Sequence, residues 1–244
     1  MTLVLDNTPH DPIQTRASEF GLFPEAARFN PRFVPGREKH RLTVDVLLAP
    51  DGPPDIAGLT DGALALAPGL AFHTCRGGRP IGPPAARVDD PIVEIAHLVE
   101  HLIIEFQHQV AGMRLCSGAT CAYDSPRTRC DLFIESPDRG VSRLCARLAI
   151  AWVNAFLSGR GADPRGPALL RLAGHAFANA GSAITAQTAR ASGGDTRAAM
   201  ECLRILEDAG FLEQVTASVN FSGSPLYTLR RLDTLADAMQ PHDS

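Results

Sequence analysis

One short segment concentrates the side chains able to bind a cation and move a proton. His97-Leu98-Val99-Glu100-His101 sets two imidazoles four residues apart with a carboxylate between them, and Glu94, Glu105 and His108 extend the pattern. On a helix turning about 100° per residue, His101 falls about 40° from His97, Glu105 about 80° and His108 about 20°, so they share a face. Imidazoles one turn apart project in the same direction and can share one metal ion. A glutamate beside them, here Glu100, can take a proton from a water that the metal has acidified.

Two readings of that face compete. Histidine and glutamate also decorate ordinary solvated helix faces, and a chain with eight histidines can match H-x-x-E-H by chance. Solvated faces, however, usually mix in lysine or arginine for pairing, and none occurs between Asp89 and Met113. The order H-x-x-E-H is also the one in which inverted zincins supply two zinc ligands and a general base.

The element that must carry these residues is well marked. Asp89 or Asp90 can cap a helix with Pro91 at its first position, and Gly112 can end it after Ala111. Ile95, Leu98, Val99, Leu102, Ile103, Phe106 and Val110 form its apolar side. Upstream, the alternation over 41–48 predicts a strand, with 29–34 as a candidate partner. Residues 60–66 fit either a strand or a short helix, and the Gly/Pro-dense stretch 68–84 reads as a loop. Residues 114–129 read as loop, 129–135 as a strand, and a second amphipathic helix opens at Ser136-Pro137-Asp138 and runs to Leu157. The expected fold is α+β: a small mixed sheet packed on the H-x-x-E-H helix and a second helix. The expected division is an arm over 1–28, a catalytic unit over 29–160, and a further unit over 165–244 beyond a Gly/Pro-rich linker.

The segment AHLVEHLIIEFQHQVAGM resembles a helix of the amino-terminal domain of cyanophycin synthetase, matching at His97, Glu100, His101, Glu105, Gln107, Ala111, Gly112 and Met113. PGLAFHTCRGGRPIG resembles a loop of the same domain through His73, Cys75, Arg76, Gly77 and Gly78, and RCDLFIESPDRGVSRLCARLAIAWVNAFL resembles its following strand and helix. The resemblance implies a metallopeptidase-like site that clips an arginine-bearing aspartate polymer into primers. It implies His97 and His101 as ligands of zinc or another divalent metal, Glu100 as general base or acid, and Glu105 as a carboxylate ligand. His73 would be a further ligand or oxyanion stabiliser. Arg76 and Arg79, flanking Gly77-Gly78, are candidates for holding a substrate carboxylate. The chain departs from the family in a shortened loop, where Phe72 or Thr74 replaces one of two paired histidines. It is also too short for the synthetase's ligase modules, so the expectation is the hydrolytic part alone, with a ligase or other pathway protein as partner.

Beyond residue 167 the pattern is helix over 168–180, helix over 185–191, a Ser-Gly-Gly turn, helix over 195–209, then two short strands over 211–219 and 225–229. That order, with the string TARASGGDTRAAMECLRILEDAGFLEQ, resembles a winged helix-turn-helix. Arg197 and Arg204 would be its DNA-facing residues. The unit holds about as many acids as arginines, whereas phosphate binding favours a basic surface, so a protein contact is expected ahead of DNA.

The whole chain narrows the function classes. Its 244 residues are 45% hydrophobic and 20% charged, which excludes wholesale disorder. A net charge of −4 argues against a general nucleic-acid binder, although Lys39 is the one lysine among 23 basic residues. No run approaches the roughly 18 apolar residues of a membrane span. Met1–Asp6 shows no signal-peptide pattern, and the six scattered cysteines suit reduced thiols. A cytoplasmic location without membrane partners is expected. The sequence thus predicts a zinc-dependent peptidase or amidohydrolase acting on a peptide or isopeptide bond. The alternative is a non-catalytic regulator that senses a metal or peptide and binds DNA or a protein through its winged helix.

Overall fold

A computed structural model describes residues 13–15, 38–47, 55–74, 90–113, 116–136, 138–160, 165–191, 195–219 and 225–230. In chain order the elements are β1 (Ile13–Thr15), β2 (Glu38–Val46), α1 (Ile56–Leu66), a 3-10 turn (Pro68–Phe72), α2 (Pro91–Ala111), β3 (Gly118–Ala122), β4 (Arg129–Ser136), α3 (Arg139–Leu157), α4 (Gly166–Ala178), α5 (Ala186–Ala191), α6 (Thr196–Asp208), β5 (Leu212–Val219) and β6 (Pro225–Leu229).

The four-stranded sheet has the order β1-β2-β4-β3. Every pairing in it is antiparallel, which corrects the expected mixed sheet. Antiparallel neighbours can alternate apolar and polar faces, and β2 does so. Leu42, Val44 and Val46 lie in the core, with Leu42 opposite Leu132 and Val44 opposite Cys130 of β4 across the ladder. The opposite face carries a polar network in which Asp131 accepts from Thr43 Oγ1 at 2.7 Å, from Tyr123 OH at 2.8 Å and from Arg41 Nη2 at 2.9 Å. Arg129 Nε donates to Asp45 at 3.1 Å on the same face. These partners satisfy carboxylates that would otherwise be costly to bury.

Helix starts follow the capping residues. The side chains of Asp55, Asp90, Asp138 and Asp195 accept from Gly58 N, Ile92 N, Val141 N and Ala198 N at the heads of α1, α2, α3 and α6. Gly112, at φ 65°, ends α2 in the left-handed conformation that glycine adopts without a Cβ penalty. The apolar side of α2 is buried as its spacing requires, each large side chain contributing roughly 1.5–3 kcal/mol. The core continues without a break from β2 through α2 and α3 into α4, α6 and Tyr227 of β6. By length and composition Arg139–Leu157 could cross a membrane, and in this fold its residues Val141, Leu144, Cys145, Ala149 and Val153 are core.

Several local expectations change. The undecided stretch 60–66 belongs to helix α1, started at Ile56 by the Asp55 cap. Part of the expected arm, Ile13–Thr15, is a strand paired to β2, and the suggested partner 29–34 lies outside the described residues. The expected loop 114–129 contains β3, whose sequence GATCA has no apolar alternation and whose strand form comes from pairing with β4. The loop 68–84 begins as a 3-10 turn with Pro68 at its start. Beyond α4, Ile184 makes an isolated antiparallel bridge to Tyr227, and β5 pairs with β6.

Candidate functional site

The polar face of α2 is not a solvated face. Glu100, His101, Glu105 and Gln107 are all buried. The 3-10 turn brings the chain to Glu105 of α2, and β3 packs against Glu100. Two glycines allow these approaches: a Cβ on Gly69 of the turn would overlap the Glu105 carboxylate, and one on Gly118 of β3 would overlap Glu100.

Three histidines and a carboxylate form a string. His97 Nε2 lies 3.0 Å from His101 Nε2, His101 Nδ1 lies 3.3 Å from His73 Nδ1, and His73 Nε2 lies 3.0 Å from Glu105 Oε2. Glu105 also accepts from Gln109 Nε2 at 2.9 Å, and the exposed His108 lies 3.8 Å away. One tautomer set satisfies the string with every imidazole neutral: His97 Nε2–H donates to His101, His101 Nδ1–H to His73, and His73 Nε2–H to Glu105. Placing His73 here depends on the 3-10 turn, whose C-cap residue it is, with extended backbone at ψ 141°.

The electrostatics favour neutral rings. Burial lowers His101 to about 3, reinforced by His97 and His73. Burial also lowers His97, against the opposing pull of Glu94. Burial alone would raise Glu105, but hydrogen bonds from His73 and Gln109 and the nearby histidines outweigh it, and its carboxyl lies below the ordinary value. Glu100 behaves differently. Burial raises it to about 7, only partly opposed by the hydroxyl of Thr120, which donates to its Oε2. Burial thus disfavours the charged form of both neighbours, raising the carboxyl of Glu100 and lowering the imidazole of His101.

The donor chemistry matches a divalent ion for one pair. Neutral imidazole is the ligating form, and two imidazole nitrogens around tetrahedral zinc sit about 3.3 Å apart. The facing Nε2 atoms of His97 and His101 are close to that separation. Among the described residues, no group of three His, Cys, Asp or Glu side chains is arranged to hold an ion. In this geometry Glu105 is engaged with His73, and Glu100 with Thr120.

Arg76 and Arg79 lie outside the described residues. Arg197 is exposed on α6 and pairs with Glu201 at 3.2 Å, and Glu201 also takes Arg165 at 3.3 Å. Arg204 is exposed on the same helix. Spacing arguments missed Thr120, Gly118 and Gly69, which act on the site only through tertiary approach. Cys121, on β3 with Thr120, is no activated nucleophile, because burial and the nearby Asp131 and Glu100 raise its thiol.

Residues 41–158 match the family model for a cyanophycin synthase-like N-terminal domain, just under half of the chain. No curated protein matches the chain. The matched region spans β2 through α3 and therefore includes His73, His97, Glu100, His101, Glu105 and Thr120.

Proposed function

We propose that the chain is a metal-dependent hydrolase that cleaves a peptide or isopeptide bond. The observation that carries this reading is the facing pair His97 Nε2 and His101 Nε2 on one turn of α2, with the buried Glu100, whose carboxyl is raised to about 7, next to His101 in the chain. His97 and His101 would hold zinc or another divalent ion, which when bound supplies Lewis acidity toward a carbonyl and toward water. His73 and Glu105 keep His101 oriented, since a histidine that binds metal usually donates its other ring N–H to such a partner. Glu100, whose carboxyl burial raises to about 7, is the group suited to accept and then return a proton. The similarity of residues 41–158 to the cyanophycin synthase-like domain makes an arginine-bearing aspartate polymer the first substrate to try.

Cleavage of that polymer and of a mixed peptide and isopeptide panel tests the reading. Wild type should hydrolyse at least one substrate. Glu100→Gln should lower the rate by about 100-fold or more, with metal content retained. An inactive wild type, or a Glu100→Gln variant as active as wild type, contradicts the proposal.

A second reading concerns the carboxy-terminal elements. The order α4, bridge at Ile184, α5, α6, β5, β6, with Ile184 joined to Tyr227 of β6, supports a winged helix-turn-helix in which α6 faces a partner. Arg197 and Arg204 would contact DNA if the partner is a duplex. A salt-sensitive duplex shift abolished by Arg197→Ala/Arg204→Ala would establish DNA as the partner, and its absence in wild type would contradict the DNA reading.

A further inference from the structure

β3 ends one side of the sheet: in the order β1-β2-β4-β3 it pairs with β4 alone among the described residues. Its main-chain groups divide by parity. The Ser117 carbonyl accepts from Glu135 N–H at 3.0 Å and Tyr123 N–H donates to the Arg129 carbonyl at 3.0 Å, at the two ends of the ladder. Along an antiparallel pair, residues opposite each other alternate between exchanging both bonds and exchanging none. The odd-numbered residues of β3 therefore bond to β4, while Thr120 and Ala122 turn their N–H and C=O groups to the outer edge. Among the described residues neither of the two has a further main-chain partner.

Both residues can be reached, Thr120 being half-buried and Ala122 exposed. Native sheets usually blunt a bare edge with charged residues, proline or a bulge. Gly118–Ala122 has no charged residue and no proline, and it pairs with β4 residue for residue. The edge also lies beside the candidate site. α2 packs against β3, and the Thr120 hydroxyl donates to Glu100. The chemistry that fits alternating N–H and C=O groups on a strand edge is another extended main chain, held by ladder hydrogen bonds.

We propose that a peptide substrate adds to the sheet as a further strand, its extended main chain pairing with Thr120 and Ala122 of β3. The proposal deepens the hydrolase reading and rests on it for the peptide nature of the occupant. Strand addition would lay the chain alongside the element that holds Glu100. Affinity would depend on the backbone N–H groups of the peptide more than on its side chains.

Binding is measured apart from cleavage, on full-length protein kept metal-free with chelator, by the anisotropy of fluorescein-labelled peptides. The probes are an octamer of the arginine-bearing aspartate polymer and an alternating Ser/Ala octapeptide, each also made with every main-chain nitrogen methylated. At least one unmethylated probe should bind saturably, and its methylated twin should bind about tenfold more weakly or worse. Ala122→Pro removes an edge N–H that β4 does not use, at a position where a strand tolerates proline. It should weaken the same probe by about tenfold or more, whereas Ala122→Thr, which keeps the N–H, should bind as wild type does. The methylated probes need no variant and decide the matter if Ala122→Pro folds poorly. No saturable binding of either probe up to its solubility limit overturns the proposal. So does equal affinity for a methylated twin, or a folded Ala122→Pro protein that binds as wild type does. Neither metal nor cleavage enters the measurement. Main-chain-dependent binding without hydrolysis would therefore contradict the hydrolase reading alone, and hydrolysis without such binding would contradict strand addition alone.

Discussion

Glu100 and His101 are neighbours in sequence whose ionisation pulls stability in opposite directions. Glu100 is raised from 4.5 to about 7, so between those values the folded chain keeps a proton that the unfolded chain has released. Its contribution to stability is present below pH 4.5 and is lost as pH rises toward 7. His101 is lowered from 6.5 to about 3, so its contribution is present above pH 6.5 and is lost as pH falls toward 3. Where the windows overlap, the two partly cancel. Urea titrations of metal-free protein should show Glu100→Gln gaining on wild type as pH rises from about 4.5 to 8, by at most about 3 kcal/mol. A difference that stays constant with pH contradicts the assignment. Thr120→Val removes the bond that restrains Glu100, so it should move the Glu100 limb to higher pH in the same experiment. Legibility at this scale was uneven. The types and spacing of His97, Glu100, His101 and Glu105 marked them as chemistry, and the matched region contains all four. Thr120 and Gly118 have nothing distinctive in their local sequence, because their importance lies in what β3 packs against.

At the scale of the element, α2 was legible from end to end. Asp90, Pro91 and Gly112 marked its limits, and the apolar residues of its core face repeat at helical spacing. Asp90→Ala should cost about 1 kcal/mol in denaturant titration through loss of the cap. An unchanged midpoint would mean that packing alone holds the start of α2. β3 was illegible for the converse reason: GATCA is small and unpatterned, and its strand form is set by the ladder in which Thr120 faces Leu132 and Cys121 faces Asp131. The same holds for the 3-10 turn, whose proline and glycine read as loop while Gly69 allows its approach to Glu105. β2 was visible through its alternation, whereas its pairing with the short β1 had no local signal.

Across the whole molecule, the core is continuous from the sheet into the carboxy-terminal helices. Gly174 of α4 is positioned so that a Cβ would lie 3.1 Å from the carbonyl oxygen of Gln109, at the end of α2. Helix α4 thus approaches the backbone of the helix that carries the candidate site, a relation that the Gly/Pro-rich linker in the sequence did not suggest. A chain ending at residue 160 would uncover Phe106 and the surrounding apolar residues, so it should lose cooperative unfolding and expose hydrophobic surface to a dye. A truncated chain that unfolds in one sharp transition would instead mark an independent unit.

The central claim is that the histidine pair on α2 holds a metal ion, and metal content per chain tests it most directly. Wild type and His97→Ala/His101→Ala would be stripped with chelator, reloaded with zinc, desalted and measured by elemental analysis, with circular dichroism confirming that both are folded. The account predicts close to one tightly held ion in wild type and almost none in the double variant. Equal zinc in the two proteins, or none in wild type, would contradict it.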